Sequence, residues 1–234
     1  VFRDGEAGRL HNPEFTMIEW YRVGFDHHRL MHETGELVMQ SLASSLSLQA
    51  PEKLTYREAF QRHAGLDPHV ATAEEFARAA ERHRIDAPRD LRGHDDLSIW
   101  RDLLLTHIVE PRLGRGQLTF LYDYPAAQAS LARVQPGNPP LAARFELYLN
   151  GVELANGFHE LADADEQRMR FEHQLHSRTA AGLPAVPMDA RLLDALAHGL
   201  PECAGVALGF DRLVMLAAGA RSIAEVIAFP VDRA

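Results

Sequence analysis

The chain has 234 residues, of which 46% are apolar, and it carries a formal net charge of -9. This length suits one domain with a substantial core, and an acidic chain without a basic run is not expected to wrap nucleic acid, although a local RNA contact stays open. The single cysteine cannot form an internal disulfide and no apolar run is long enough to cross a bilayer, so we expect a soluble, cytoplasmic protein without a membrane partner.

The first 22 residues predict a strand, a long glycine-containing turn and a returning strand. Alternation in the returning strand separates two sets of side chains: Thr16, Ile18 and Trp20 on one face, and Phe15, Met17, Glu19 and Tyr21 on the other. A ring followed by a carboxylate and a phenol suits a flat base and then an ammonium group, and Arg3 on the partner strand would bind an anion. The ordinary alternative is a buried ring beside a solvated carboxylate.

A block from about 26 to 110 predicts a helical insertion. Its first helix covers 26–44, and another covers 95–109. Two capping boxes, Thr55 with Glu58 and Thr72 with Glu75, lie between these two helices, and each predicts the start of a further short helix.

His28 and His32 are spaced four apart on the first helix, as metal ligands often are. Because no third ligand is nearby in the sequence, a solvated helix face is the favoured interpretation of this pair.

The second half of the chain returns to strands. A strand is predicted at 117–124, a loop at 134–140, and helices at about 163–181 and 189–198. The stretch "GVALGFDRLVML" predicts a strand that runs into a helix. Strands and helices mix without a regular βαβ alternation, which indicates an α+β domain with a mainly antiparallel sheet flanked by helices.

A hairpin at Asn150-Gly151 gives the first candidate metal site. With a two-residue turn, Glu146 would pair with Ala155, and Glu146 and Glu153 would share one face as diagonal neighbours about 7–8 Å apart. Two such carboxylates could hold Mg²⁺ with phosphate oxygens, and a solvated strand face is the alternative.

The same alternation puts Asn156 on the opposite face from Glu153. A bulge at Gly157 would be needed to turn the later side chains inward.

The strand before the last helix has one nearly bare face, because Gly205, Ala207 and Gly209 recur at a period of two. A ligand or a packed helix could occupy that face. Arg212 follows in the first turn of the helix, where the macrodipole disfavours a cation, so it is expected to have an anionic partner. A phosphate would serve, and so would Asp211 or another carboxylate.

Three stretches together, "FRDGEAGRLHNPEFTMIEWYR", "GVELANGFHEL" and "GVALGFDRLVML", resemble the catalytic domain of class II lysyl-tRNA synthetases. The resemblance is closer still to the synthetase paralogues that attach β-lysine to elongation factor P, since lysyl synthetases tend to carry serine where His159 stands. It runs from Phe2 to the C-terminus and implies a class II catalytic core over 1–234. The class's motif 1 is missing from this stretch, and the chain starts at Val1 in what reads as the middle of a strand, so we expect an absent upstream part.

The resemblance implies a set of ATP-binding residues. Arg3 would bind the α-phosphate and the substrate carboxylate, His11 the outer phosphates, and Phe15 would stack on adenine. Arg212 would cover the other face of the adenine and reach the γ-phosphate. Gly5 stands where the family pattern has glutamate, and Glu6 is the expected substitute.

The resemblance also implies metal and substrate residues. Glu146 and Glu153 would be Mg²⁺ ligands, with Arg3 and Arg212 as the catalytic residues that stabilise phosphate charge. The substrate-binding residues would be Glu19, Tyr21 and Glu160 around the side-chain ammonium, Asn156 near the carboxylate, Phe158 lining the pocket and Ala207 beside the amino acid. Lysyl synthetases have glycine where this chain has Ala207, and the added methyl favours a β-amino acid over an α-amino acid.

By the same resemblance, the reaction is ATP-dependent activation of a lysine isomer, (R)-β-lysine being favoured, as an adenylate, followed by transfer to a lysine of elongation factor P. The cofactors implied are ATP and Mg²⁺, the full-length protein would be a homodimer, and tRNA is not the expected partner. The alternatives are a lysyl-tRNA synthetase core and an inactive synthetase-like binding protein.

Overall fold

The computed structural model describes residues 1–88, 91 and 97–233 of the chain. Its strands are β1 Met17–Val23, β2 Gln49–Thr55, β3 Gln117–Pro125, β4 Val134–Gln135, β5 Leu141–Leu149, β6 Val152–His159 and β7 Cys203–Gly209. Its helices are α1 His27–Leu42, α2 Tyr56–His63, α3 Ala73–Arg82, α4 Ser98–Leu104, α5 Ala164–Ala180, α6 Ala190–His198 and α7 Phe210–Ala217. No described helix has the length and apolarity that a membrane span requires.

All the strands join one seven-stranded sheet in the order β1-β7-β6-β5-β3-β2, with β4 added beside β5. Every pair is antiparallel except β2 with β3, which is parallel. The prediction of a mainly antiparallel sheet flanked by helices is therefore confirmed.

Local sequence signals set most helix boundaries. Thr55 with Glu58 and Thr72 with Glu75 form the two predicted capping boxes at α2 and α3. Asp163 caps α5, and α6 ends at Gly199, whose φ of 124° an L-residue rarely adopts.

The central block is not wholly helical, which corrects one expectation. β2 lies inside it and pairs with β3, so a seven-residue strand interrupts the predicted insertion. Of the predicted helix 95–109, residues 95 and 96 lie outside the described residues, α4 begins at Ser98, and a π-helix over Leu105–Val109 follows α4.

The opening strand pair is also reduced relative to expectation. Before β1 there are only isolated bridges, between Phe2 and Glu14 and between Gly8 and His11. Gly5 has a φ of 76°, so the segment turns there instead of extending a ladder. The segment is fixed at its far end, where the amide of Thr16 donates to Asp211 at 2.7 Å.

The two faces of the sheet are covered differently. On one face, Leu30, Met31 and Val38 of α1 pack in a core with Phe145 and Leu147 of β5 and with further buried residues. On the other face, α2, α3 and α4 form a second core, which reaches Leu121 of β3 and Tyr148 of β5. That second layer does not cover the remaining part of this face, at β1, β7 and β6, where a cavity opens.

Candidate active site

A cavity of about 680 Å³ lies on this face of the sheet. It is lined by most of the predicted site residues: Arg3, Glu6, His11, Phe15, Glu19, Glu146, Glu153, Asn156, Phe158, Ala207 and Arg212. A volume of this size is typical of small-molecule sites. The structure therefore brings segments from three distant parts of the chain to one place.

Strand register explains how four of these side chains meet. Glu19 of β1 is opposite Ala207 of β7, Ala207 is opposite Asn156 of β6, and Asn156 is opposite Glu146 of β5. Directly opposed residues in antiparallel strands point to the same face. These four residues thus form a row across the floor of the cavity.

The row depends on a bulge that lies elsewhere than the predicted position at Gly157. The register shifts between Leu147 and Tyr148, so Tyr148 pairs with Glu153 while Leu147 pairs with Ala155. The extra residue is Leu154, not Gly157, and Glu146 pairs with Asn156 instead of Ala155. Because the extra residue shifts the alternation by one position, Glu153 and Asn156 both face the cavity.

Tyr21 and Glu160 do not line this cavity and lie next to it instead. Gly205 is opposite Tyr21 on β1 and opposite Phe158 on β6. A Cβ on Gly205 would lie 2.6 Å from both the Tyr21 ring and a carboxylate oxygen of Glu160. The part of the bare strand face at Gly205 is therefore occupied by this phenol and carboxylate, while Ala207 stays open to the cavity.

Glu160 and Tyr21, which lie next to the cavity, both have raised pKa values. Burial raises the pKa of Glu160 to about 7, and no described charged group offsets that increase. Burial, together with the charges of Glu160 and Glu19, also raises the pKa of Tyr21. A ligand ammonium placed here would relieve both effects.

Arg144, which the sequence analysis did not single out, organises the middle of the site. Its guanidinium donates to Glu146 at 2.5 Å and to the side-chain oxygen of Asn156 at 3.3 Å. It also donates to the carbonyl of Gln128 and lies over the Tyr124 ring at 4.6 Å. Since Arg144 is two residues before Glu146 on one strand, period-two alternation already placed it on the same face.

A second missed feature is a third carboxylate. The hydroxyl of Tyr148 lies 2.5 Å from one oxygen of Glu146 and 3.4 Å from one oxygen of Glu110. Burial and the Glu146 charge raise the pKa of Glu110 to about 6. Glu110 follows the π-helix, so no local sequence pattern indicated that it would reach β5.

Arg212 has a protein partner for its charge. It donates to the carboxylate of Glu153 at 3.3 Å and to the Glu153 carbonyl at 2.8 Å, and it lies 2.8 Å from the Nε2 atom of His11. Of the partners considered from sequence, a carboxylate other than Asp211 is thus the one observed. Burial and the Arg212 charge lower the pKa of His11, so its imidazole is neutral at pH 7 and its Nε2 can accept from Arg212.

Glu146 of β5 and Glu153 of β6 line the cavity and are the carboxylates that could hold a divalent cation. Burial and the neighbouring charge of Glu146 raise the pKa of Glu153 to about 7, although Arg212 acts in the opposite direction. Burial is the larger cause of the raised pKa values of Glu110 and Glu153, and the charge of Glu146 adds to it in both cases. Carboxylate oxygens are the kind of ligand that Mg²⁺ prefers.

At the outer end of the cavity, Arg3 and Phe15 lie together. The guanidinium carbon of Arg3 is 5.2 Å from the centre of the Phe15 ring, and Arg3 also pairs with Glu6 at 3.6 Å. The left-handed backbone at Gly5 suits glycine, and Glu6 is the acidic residue of this turn that lines the cavity.

A family model described as tRNA synthetases class II (D, K and N) matches residues 1–233. The chain belongs to this class II synthetase family. Curated relatives of this class II chain include proteins named elongation factor P–(R)-beta-lysine ligase from Salmonella dublin, Salmonella heidelberg and Salmonella enteritidis PT4, each 52% identical over 233 residues. Each match covers 100% of this chain and 70% of the relative. The family predicted from three motifs is thus confirmed, and with it an enzyme of the ligase type.

Proposed function

We propose that this class II ligase activates (R)-β-lysine with ATP and transfers it to a lysine side chain of elongation factor P. Relatives that carry this activity in their name are 52% identical over the whole chain. The structural observation that carries the proposal is the position of Glu160, which meets Tyr21 over Gly205 and has no compensating cation from the described chain.

The ammonium end of the substrate would lie between Glu160, Tyr21 and Glu19. These groups meet over Gly205 and Ala207, and the negative charge there has no cationic partner among the described side chains. The substrate carboxylate would lie near Asn156, which is opposite Ala207 on the next strand. The site is thus acidic where the side-chain ammonium would lie and offers an amide where the carboxylate would lie, which suits a lysine isomer.

ATP would lie at the other end of the cavity. Phe15 would stack on the adenine with Arg212 on its other face, Glu6 would accept from the base, and Arg3 and His11 would bind phosphates. Mg²⁺, held by Glu146 and Glu153, would neutralise phosphate charge when bound. This arrangement is supported by the cavity, because its lining includes all seven of these residues: Arg3, Glu6, His11, Phe15, Glu146, Glu153 and Arg212.

Activation needs no protein nucleophile. A substrate carboxylate oxygen attacks the α-phosphorus, the bond from that phosphorus to the bridging oxygen breaks, and pyrophosphate leaves with the electron pair. Arg3 and Arg212 would stabilise the charge that develops on the phosphate oxygens. Arg144 would hold Glu146 and Asn156 in place during this step.

In the second step, a neutral lysine amine of elongation factor P attacks the carbonyl carbon of the adenylate and AMP leaves. The attacking nitrogen loses a proton to form the amide. Two further parts of the proposal rest on the family resemblance alone: tRNA is not the acceptor, and the full-length protein is a homodimer.

The test is ATP–pyrophosphate exchange by the full-length protein with (R)-β-lysine and with α-lysine, followed by mass spectrometry of elongation factor P. Exchange driven by β-lysine, with a matching mass increase on the acceptor, is the expected result. Exchange driven by α-lysine together with tRNA charging would favour a lysyl-tRNA synthetase instead. ATP binding without exchange on any isomer would identify an inactive binding protein.

A further inference from the structure

A cluster of two histidines and one aspartate lies outside the candidate active site. His27 and His28 begin α1, and Asp123 comes from β3. Each of the three offers one ligand atom, and these atoms all lie within 4.8 Å of one another. None of the three lines the large cavity, so the proposed function assigns them no role.

The distances in the cluster suit a metal better than a hydrogen bond. The Nε2 atom of His27 is 3.4 Å from a carboxylate oxygen of Asp123, which is long for a charge-assisted hydrogen bond. Two ligands about 2.0–2.1 Å from a tetrahedral ion are separated by about 3.3–3.4 Å. The separation of this pair therefore equals the edge of a tetrahedral zinc site.

The fold holds all three side chains in place. Asp26 caps α1 by accepting from the Arg29 amide at 2.8 Å, which fixes the first turn that bears both histidines. Their ring centroids are 4.0 Å apart. Asp123 has a φ of 57° where the register of β3 and β5 shifts, so a bulge directs its carboxylate out of the regular strand.

Charge and burial also favour a metal. His27 is 2% exposed, so its ring is shielded from solvent, and its Nε2 atom faces the Asp123 carboxylate. Asp26 and Asp123 supply negative charge around His28, against the positive charge of Lys53.

We propose that His27, His28 and Asp123 bind a zinc-type transition-metal ion, with one nitrogen from each ring, one carboxylate oxygen and a water in the fourth position. Imidazole donors select zinc and similar ions over Mg²⁺, which prefers oxygen. The ion would tie the start of α1 to β3, one residue from Tyr124, whose ring supports Arg144 in the active site. His32, four residues after His28, is not part of the cluster and lies 3.7 Å from Glu36.

The test uses untagged full-length protein titrated with Co²⁺ in excess Mg²⁺, which keeps the carboxylates of the active site occupied. The variants are Asp123→Asn, which keeps the size of the side chain and tolerates the left-handed backbone, and His28→Ala at an exposed position. His32→Ala is the matched control, since it removes an exposed histidine from the same helix. Unfolding temperatures without metal establish that each variant is folded.

The wild-type protein and His32→Ala should give the intense visible bands of tetrahedral Co²⁺, and Zn²⁺ should displace them. Asp123→Asn and His28→Ala should weaken binding by more than about tenfold, because loss of even an indirect partner of a metal ligand typically costs 10–100-fold. Zn²⁺ should also raise the unfolding temperature of the wild type and of His32→Ala more than that of the other two.

Three results would overturn the proposal: no tetrahedral spectrum in the wild type, an unchanged spectrum in both Asp123→Asn and His28→Ala, or an equal loss in His32→Ala. His27 and Asp123 would then be an ordinary polar pair. If Asp123→Asn does not fold, His28→Ala against His32→Ala decides the question alone. ATP–pyrophosphate exchange is not a readout here, so failure of the proposed function leaves this test intact.

Discussion

Arg144 donates to the carboxylate of Glu146 at 2.5 Å, from a position two residues earlier on the same strand. The same guanidinium reaches Asn156 and the Gln128 carbonyl and lies over the Tyr124 ring. One planar group therefore fixes both a proposed metal ligand and a proposed substrate ligand. Its fork geometry is what a lysine could not reproduce.

Arg144→Lys is expected to lower kcat/KM for ATP–pyrophosphate exchange by about 10–100-fold, since a hydrogen bond to a charged group contributes about 1.5–3 kcal/mol. Arg133→Lys is the control, because Arg133 pairs with the exposed Glu202 away from the cavity. Equal activity in the two variants would contradict the role given to Arg144. Unfolding midpoints measured in parallel separate loss of activity from loss of the fold.

Gly205→Ala and Gly209→Ala add a methyl to the same face of β7 with different consequences. At Gly205 the new Cβ would lie 2.6 Å from Glu160 and Tyr21, whereas at Gly209 its nearest neighbours are 3.6 Å away. Overpacking costs about 1–3 kcal/mol, so Gly205→Ala should raise KM for the lysine substrate by about tenfold or more. KM for ATP should change by less than about twofold.

The measurement is substrate-dependent exchange for both variants, with each substrate varied in turn. Gly209→Ala should leave the lysine KM within about twofold of the wild type. A larger effect at Gly209 than at Gly205 would show that Tyr21 and Glu160 do not form the ammonium end of the site.

The elements of this fold were largely predictable because their signals are local. Capping boxes located α2 and α3, and the Asn150-Gly151 turn located the β5–β6 hairpin. The Leu154 bulge was not predictable, since no glycine marks it and its cause is the pairing of two strands. The shift of one residue in the pairing of β5 with β6 determines that Asn156 faces the cavity.

The site was predictable where alternation or family motifs applied, and not where tertiary packing decided. Glu146 and Glu153 follow from the hairpin, and Arg144 could have been found by the same alternation. Glu110 could not, because it reaches Tyr148 from a distant π-helical turn. The partner of Arg212 was left open between a phosphate and a carboxylate, and only packing brought Glu153 to it.

Glu160→Gln is expected to change how stability depends on pH. The folded-state pKa is about 7 against an ordinary 4.5, so the folded protein binds more protons than the unfolded chain between these values. The free energy of unfolding therefore falls as pH rises from about 4.5 to 7 on account of this group. The neutral amide removes that contribution, so the variant should gain stability relative to the wild type as pH rises.

The gain at pH 8 should be on the order of 1 kcal/mol after allowance for the partial exposure of the carboxyl. Denaturant unfolding at pH 5, 6, 7 and 8 measures it, and Glu172→Gln on the exposed face of α5 is the control. A difference between Glu160→Gln and the wild type that does not vary with pH would mean that Glu160 is not a buried unpaired carboxylate. The substrate's ammonium should reduce the difference by pairing with Glu160 in the wild type.

Ala207→Gly tests the choice between lysine isomers. Ala207 lies between Glu19 on β1 and Asn156 on β6, at the centre of the row that would hold the substrate. Its methyl would remove space beside the proposed amino acid substrate, and a single methyl in such a site discriminates by about 1–3 kcal/mol. We expect the ratio of kcat/KM for α-lysine to that for β-lysine to rise by about tenfold in the variant.

Exchange with each isomer measures this ratio, in which general loss of activity cancels. Gly209→Ala, two residues along the same face, should leave the ratio unchanged; an equal shift in both variants would mean that the volume of this strand face, and not Ala207 itself, selects the substrate.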